Sequence, residues 1–382
     1  MEEITQTLRE KLAAVDEACK KINASLKPGM KKIGRLSDPE VFERLKVNYV
    51  ISRCEEFNRT TGGGYPKGKC TLIAGSPNSG KSLRCLEDIY YNQEQDPDFF
   101  AVWIESENSI TPEHLEGIWH IDKERLMLLQ FDPNIGAETI LEQLHSIMSA
   151  VKVDMVVINS LKCLVPSKLI EENLNSQTPA VAARLNSKMV NKFIGLVTRQ
   201  DTAFVIITHM YSGIGTYGSP QVISGGAAIR YWASIILFFS SVSIKADDPI
   251  ETKDGMHISV TVKKNHLKPG KDAYKKFDYF VIYGEGTERI LSTVPVMCEN
   301  GLLSVNRGSY LFNLPDGKEQ KIRGKINYRQ YMLDNPEVFD FLMKQLGDKA
   351  WLMDDMSNEE VEEAEKEENN VAEKARAVLE EE

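Results

Sequence analysis

The chain has 382 residues, 42% of them hydrophobic and 27% charged, enough for one large α/β domain with smaller appendages. Its net charge is −10, but residues 357–382 hold eleven Glu against Lys366, Lys374 and Arg376, a net −8 that leaves only −2 for the rest; the acidic total therefore does not exclude an anionic polymer as partner. Six scattered cysteines without a CxxC pair indicate neither a disulfide framework nor a zinc site. With no basic-then-apolar leader and no long apolar run, a cytoplasmic protein with no membrane partner is expected.

In chain order, the apolar spacing of Ile4, Leu8, Leu12 and Val15 predicts a helix to about Lys21, followed by a short strand at "KKIGRL". From "GKCTLIAG" onward, apolar runs alternate with helical stretches: "FFAVWIES", "RLMLLQF", "DMVVINS" and "TAFVIITH". That alternation predicts a parallel sheet wrapped by crossover helices. After "ASIILFFSSVSI", the runs "HISVTVKK" and "FDYFVIYG" follow through short connections, which predicts antiparallel strands added at a sheet edge. Beyond about Thr287, short mixed elements with a helix around "NPEVFDFLMKQL" predict a small α+β domain. The fold class is α/β, without internal repeats.

The strongest local signal is "GSPNSGKS", made of Gly75, Ser76, Pro77, Asn78, Ser79, Gly80, Lys81 and Ser82 and matching G-x-x-x-x-G-K-[ST]. It follows an apolar strand and opens a helical run that continues through Leu83. Glycines let backbone N–H groups close around phosphates, and the helix start adds positive potential. Lys81 then reaches the terminal phosphates and Ser82 ligates magnesium, so ATP and Mg2+ are expected. The next strand ends in "ESENSITP", which places Glu105 and Glu107 where a carboxylate can orient an attacking water; taken alone, they also read as two solvated glutamates. A third strand, "VDMVVINS", delivers Asn159 where a catalytic acid belongs.

The order and spacing of "GGGYPKGKCTLIAGSPNSGKS", "ESENSITPEHL", "INSLKCLVP", "AVAARLNSKM", "IITHMYSGIG", "SGGAAIRYWAS" and "VKKNHLKPG" resemble the RecA-type recombinases, bacterial RecA and the UvsX-type phage proteins alike. The resemblance covers nearly the whole chain. It implies a DNA-dependent ATPase that forms a helical filament on single-stranded DNA, pairs it with homologous double-stranded DNA and exchanges strands. Glu107 matches the family's catalytic glutamate, and His209 stands where a γ-phosphate sensor sits. Lys264 matches one of two lysines that reach the neighbouring subunit's γ-phosphate, and His266 occupies the second position. His114 lies where an aromatic ring covers the adenine. Asn159 replaces the usual aspartate that holds a magnesium-bound water, so hydrolysis is expected to persist but slower or with altered magnesium demand. Glu105, on a strand expected to run alongside, is the candidate for the missing charge, and an aspartate at 159 is expected to lower the magnesium requirement.

The resemblance also implies two DNA loops. In the first, Ser187 and Asn191 match backbone-contacting positions, with Asn191 replacing an arginine. In the second, "MYSGIGTYGSPQVISGG", Ile214 matches the residue that wedges between base triplets, and the amides of Gly225 and Gly226 match phosphate ligands. Ser240 and Ser241 replace the arginines of the duplex-holding site, with Lys263 as a substitute unless that site lies elsewhere. Tyr231 falls at a position tied to communication between subunits. The implied organisation is residues 1–37 for docking to the next subunit, 38–287 as the RecA-like core, 288–352 as a small C-terminal domain and 353–382 as an acidic tail. The tail serves solubility or competes with DNA for basic surface. Single-strand-binding and mediator proteins are further candidate partners. Two other readings are a nucleotide-gated filament or mediator protein with little hydrolysis, motivated by Asn159, and a RecA-core hexameric helicase.

Overall fold

The computed structural model describes residues 6–27, 32–116, 120–132, 134–171, 180–212, 221–223, 225–244, 250, 254–268 and 275–350. Among these, ten strands form one sheet. From one edge its path runs Gly286–Thr287, Lys276–Ile282, Gly255–Asn265, Ala233–Ser243, Lys69–Gly75, Ala203–Ser212, Met155–Asn159, Ala101–Glu105 and Leu126–Gln130, with Gln221–Ile223 paired to the end of Ala203–Ser212. The six strands from Ala233–Ser243 to Leu126–Gln130 are parallel to their neighbours, and those on the other side are antiparallel. The class is α/β with a mostly parallel central sheet, as the alternation of apolar runs and helices predicts.

The strands form because their side chains alternate between two covered faces. Ile73, Trp103, Val157, Val205, Ile207 and Leu237 point to one side and meet Cys85, Leu86 and Ile89 of the helix Lys81–Gln95. Their sequence neighbours Leu72, Val102, Ile104, Val156, Ile158, Phe204 and Ile206 point to the other, against Ile140 and Leu144 of Gly136–Ala150 and Phe193 and Leu196 of Ala180–Gln200. Each such fully buried aliphatic side chain contributes about 1.5–3 kcal/mol. A separate cluster from Ile290 to Leu346 packs a three-stranded antiparallel sheet, Leu303–Asn306, Ser309–Asn313 and Glu319–Arg323, against Lys325–Asp334 and Pro336–Ala350.

One expected element differs from the structure. The run "KKIGRL" forms no strand over its described residues 32–36. Instead the Ile33 N–H donates to Asn23 Oδ1 and its carbonyl accepts from Asn23 Nδ2, both at 2.8 Å. A strand needs a partner ladder, and among the described residues both backbone groups of Ile33 pair with one asparagine side chain that imitates one. The flanks of the second DNA loop pair as Met210↔Ile223, Tyr211↔Val222 and Ser212↔Gln221. Ile214 and the acidic tail 353–382 lie outside the described residues.

Candidate functional site

The strand Lys69–Gly75 ends at a loop that only glycine can close. A Cβ on Gly75 would stand 2.4 Å from the Phe239 carbonyl oxygen. Gly80, at φ 82°, has Ile258 Cδ1 2.4 Å from where its Cβ would be. The loop then turns into the helix Lys81–Gln95, capped by Gly80. Lys81 is 6% exposed. Its Nζ donates to Ser76 O at 2.6 Å, Ser79 Oγ at 3.2 Å and Gly75 O at 3.3 Å. Burial pushes its pKa down to about 8, against the opposing pull of Glu107. An ammonium held in a glycine cradle by neutral oxygens fits a polyphosphate.

Next to it, the Ser82 hydroxyl donates to Asn159 Oδ1 at 2.9 Å. Asn159 Nδ2 donates to Glu105 Oε2 at 3.0 Å and to Ser109 Oγ at 3.3 Å. Glu105 does not face the cavity as an open ligand. Its carboxylate, 1% exposed, also accepts from Trp103 Nε1 and the Glu107 N–H at 2.9 Å, and from Ser109 N at 3.3 Å and Ser109 Oγ at 3.4 Å. Its oxygens are thereby committed to the protein, opposite Asn159 in the register of the two strands. Among the described residues no group of three or more His, Cys, Asp or Glu converges as a metal cage. The donor set that fits magnesium is Ser82 and, through water, Asn159, completed by phosphate oxygens.

Across the cavity, Glu107 Oε1 lies 2.7 Å from His209 Nε2, at the ends of Ala101–Glu105 and within Ala203–Ser212. His209 Nδ1 is buried and has no hydrogen-bond partner among the described residues. The cavity, about 470 Å³, is lined by Pro77 to Leu83, by Glu107, Ser109 and His209, and by an apolar wall of Leu86, Met256, Val281, Ile282 and Tyr283. That wall escaped the sequence reading, as did Ser109 and Trp103. The signal for it was an aromatic residue at a strand end followed by Gly284 and Gly286, both at positive φ. Ser241, singled out only as a missing arginine, donates to Asn78 O at 3.0 Å and braces the loop. A larger hollow of about 560 Å³ beside Cys298, Leu303 and Phe312 has no phosphate-binding loop in its lining.

The remaining predicted residues whose side chains are described do not line this cavity. Lys264 Nζ donates to the Arg230 and Tyr231 carbonyls at 3.0 and 3.4 Å, and burial lowers its pKa. His266 follows at the end of the same strand, its N–H on Ser234 O at 3.0 Å. The side chain of His114 lies outside the described part of the structure. On the helix Ala180–Gln200, Ser187 and Asn191 are exposed one turn apart, and Asn186 Nδ2 holds the Gly225 carbonyl at 2.9 Å. Gly225 and Gly226, at φ 113° and 80°, open the helix Gly226–Trp232. Lys263 Nζ sits 5.2 Å from the Phe238 ring centre, and Tyr231 is 84% exposed.

A strand, a glycine loop and a helix that bury a lysine among loop oxygens, beside carboxylates from the next parallel strand, define a P-loop nucleotide-binding protein. The family described as the RecA N-terminal domain matches residues 13–288, and the chain belongs to that family as a RecA-type recombinase. It is 26% identical over 355 residues to Protein RecA of Aquifex pyrophilus, covering 92% of this chain and 96% of that one. Protein RecA of Thermotoga petrophila is 27% identical over 373 residues, at 96% and 99% coverage. Protein RecA of Rippkaea orientalis is 28% identical over 325 residues, at 85% and 88%. The family is one of DNA-dependent ATPases. Among the described residues no helix is long and apolar enough to cross a membrane.

Proposed function

We propose that this chain hydrolyses ATP with magnesium while assembled as a filament on single-stranded DNA, and uses that filament to pair and exchange strands with a homologous duplex in the cytoplasm. One observation carries the catalytic part: Lys81 and Ser82 of the P-loop helix, Glu107 just after the strand Ala101–Glu105 and His209 of Ala203–Ser212 line one cavity with an apolar wall, and Asn159 backs it by accepting the Ser82 hydroxyl. The loop amides and Lys81 hold the polyphosphate, and the base lies along Met256, Val281, Ile282 and Tyr283. Magnesium, when bound, neutralises phosphate charge. Ser82 would hold it through its hydroxyl oxygen, oriented by Asn159 Oδ1 behind it. Glu107 accepts the proton of the attacking water at its carboxylate, and His209, in contact with that carboxylate, keeps it aimed and senses the terminal phosphate.

Lys264 and His266 act on a neighbour's site, which makes turnover depend on assembly. The same reading assigns residues 1–37 to docking. The stripe Leu8, Val15 and Ile22 is exposed at 44–46%, Ile33 lacks a strand partner, and Met127 and Leu128 are exposed on the free edge strand Leu126–Gln130. On the DNA side, Ser187, Asn191, Gly225 and Gly226 meet the primary strand's phosphates and Ile214 separates its base triplets. Phosphate release by the parent and Lys81→Ala, with and without single-stranded DNA, tests this together with a strand-exchange assay. DNA-stimulated turnover lost in the variant is expected. Wild-type turnover in Lys81→Ala, or closed rings in place of filaments, overturns the reading.

A further inference from the structure

Glu105 and Asn159 stand opposite each other in the register of two neighbouring parallel strands, at 1% and 0% exposure. We propose that Glu105 is a positioning residue and that Asn159 is an amide because its neighbour is Glu105. The two are a matched pair, in which the fully buried negative charge sits on the strand Ala101–Glu105 and the amide passes its orienting effect to Ser82. This rests on the reading of the cavity as a magnesium–nucleotide site.

The chemistry of the contacts fixes the orientation of the amide. A carboxylate without a proton only accepts, so the Asn159 atom 3.0 Å from Glu105 Oε2 is the nitrogen. The amide oxygen must then face the Ser82 hydroxyl, where it stands at 2.9 Å. Glu105 is itself held by the Trp103 indole and the Ser109 N–H and hydroxyl. It also accepts the backbone N–H of Glu107, so one carboxylate sets both the magnesium-side oxygen and the start of the segment carrying the catalytic glutamate. Five donors on two oxygens leave Glu105 no free lone pair for an ion.

An aspartate at 159 would put a second carboxylate where Nδ2 now donates. Like charges at that separation in a buried site repel strongly. Glu105 would have to withdraw, releasing Trp103 and the N–H groups of Glu107 and Ser109. The expectation that Asn159→Asp restores a lost charge and lowers the magnesium requirement is therefore reversed. The same change made together with Glu105→Gln restores the contact across the strands with its roles exchanged, since the glutamine amide can donate to the new carboxylate, while the Trp103 indole, which now donates to the same Oε2, loses its acceptor and the recovery is partial.

The test compares the parent, Asn159→Asp, Glu105→Gln and the double variant in two measurements. Thermal unfolding is followed without nucleotide or magnesium, and ADP binding is measured by calorimetry with and without magnesium. Each single change should lower the unfolding midpoint and cut magnesium's enhancement of ADP binding by about ten- to hundred-fold. The double variant should recover at least half of both losses. Strict additivity overturns the pairing. So does an Asn159→Asp protein with unchanged unfolding and stronger magnesium enhancement. A midpoint that falls while magnesium enhancement stays constant reduces Glu105 to a structural residue and overturns its positioning role. If Asn159→Asp does not fold, a double variant that unfolds cooperatively supports the pairing, and one that does not overturns it. A parent without magnesium-dependent ADP binding would sink the functional reading instead, while the unfolding cycle still decides the pair.

Discussion

Arg84 lies one turn beyond Lys81 on the P-loop helix, and its guanidinium is completely buried. Its Nε donates to Asp88 Oδ2 at 2.9 Å and its Nη2 to Asp88 Oδ1 at 2.5 Å. Glu87 lies 2.7 Å from the same nitrogen, and Thr287 Oγ1 accepts from Nη1 at 2.6 Å. Asp88 also accepts from Ser52 Oγ, Arg53 N and Tyr65 Oη. Burial raises the Asp88 pKa and Arg84 opposes that rise. Arg84→Met strips Asp88 of its guanidinium partner and leaves Glu87 with Arg53 at 3.9 Å, which costs about 3–5 kcal/mol. In a domain of this size that lowers the melting temperature by about 6–20 °C. Circular dichroism melts at neutral pH measure it. Adding Glu87→Gln and Asp88→Asn removes the stranded charges and should return at least half of the loss. ATP affinity should fall too, because the helix that carries Lys81 and Ser82 loses its anchor to the strand Gly286–Thr287. Melting of Arg84→Met within about 2 °C of the parent would refute the argument that this network holds the helix.

Three further outcomes follow from the site and the charge distribution. Nucleotide-free Lys81 loses its proton as pH rises through about 8. Bound phosphates hold it charged, so the Kd for ATP should rise above that pH by up to about tenfold per unit and stay flat in Lys81→Arg; a pH-independent parent refutes this. Glu107→Gln should keep ATP and single-stranded DNA binding and lower turnover by about 10²–10⁴-fold in a phosphate-release assay. Rapid turnover would move the base elsewhere. Deleting residues 357–382 removes a net −8, so duplex affinity should tighten at low salt with the difference shrinking as salt is added; equal affinity at low salt leaves only the solubility reading.

The amino-acid sequence alone determined the features that are local in the chain. Continuous apolar runs such as those in "VDMVVINS" and "TAFVIITH" commit their residues to a sheet covered on both faces, whatever the strand order. Gly75, Gly80, Lys81 and Ser82 form their loop from eight consecutive positions, so spacing was enough to read it. Only tertiary structure decided what depends on neighbours distant in sequence. Pairing of Ala101–Glu105 with Met155–Asn159 put Glu105 opposite Asn159 and committed both oxygens of its carboxylate, which no spacing between positions 105 and 159 encodes. Strand order likewise brought Met256, Val281 and Tyr283 to the P-loop and Ser241 to the Asn78 carbonyl. "KKIGRL" shows the converse case. Its residues favour a strand, but a strand is a property of a pair, and among the described residues both backbone groups of Ile33 pair with the side chain of Asn23.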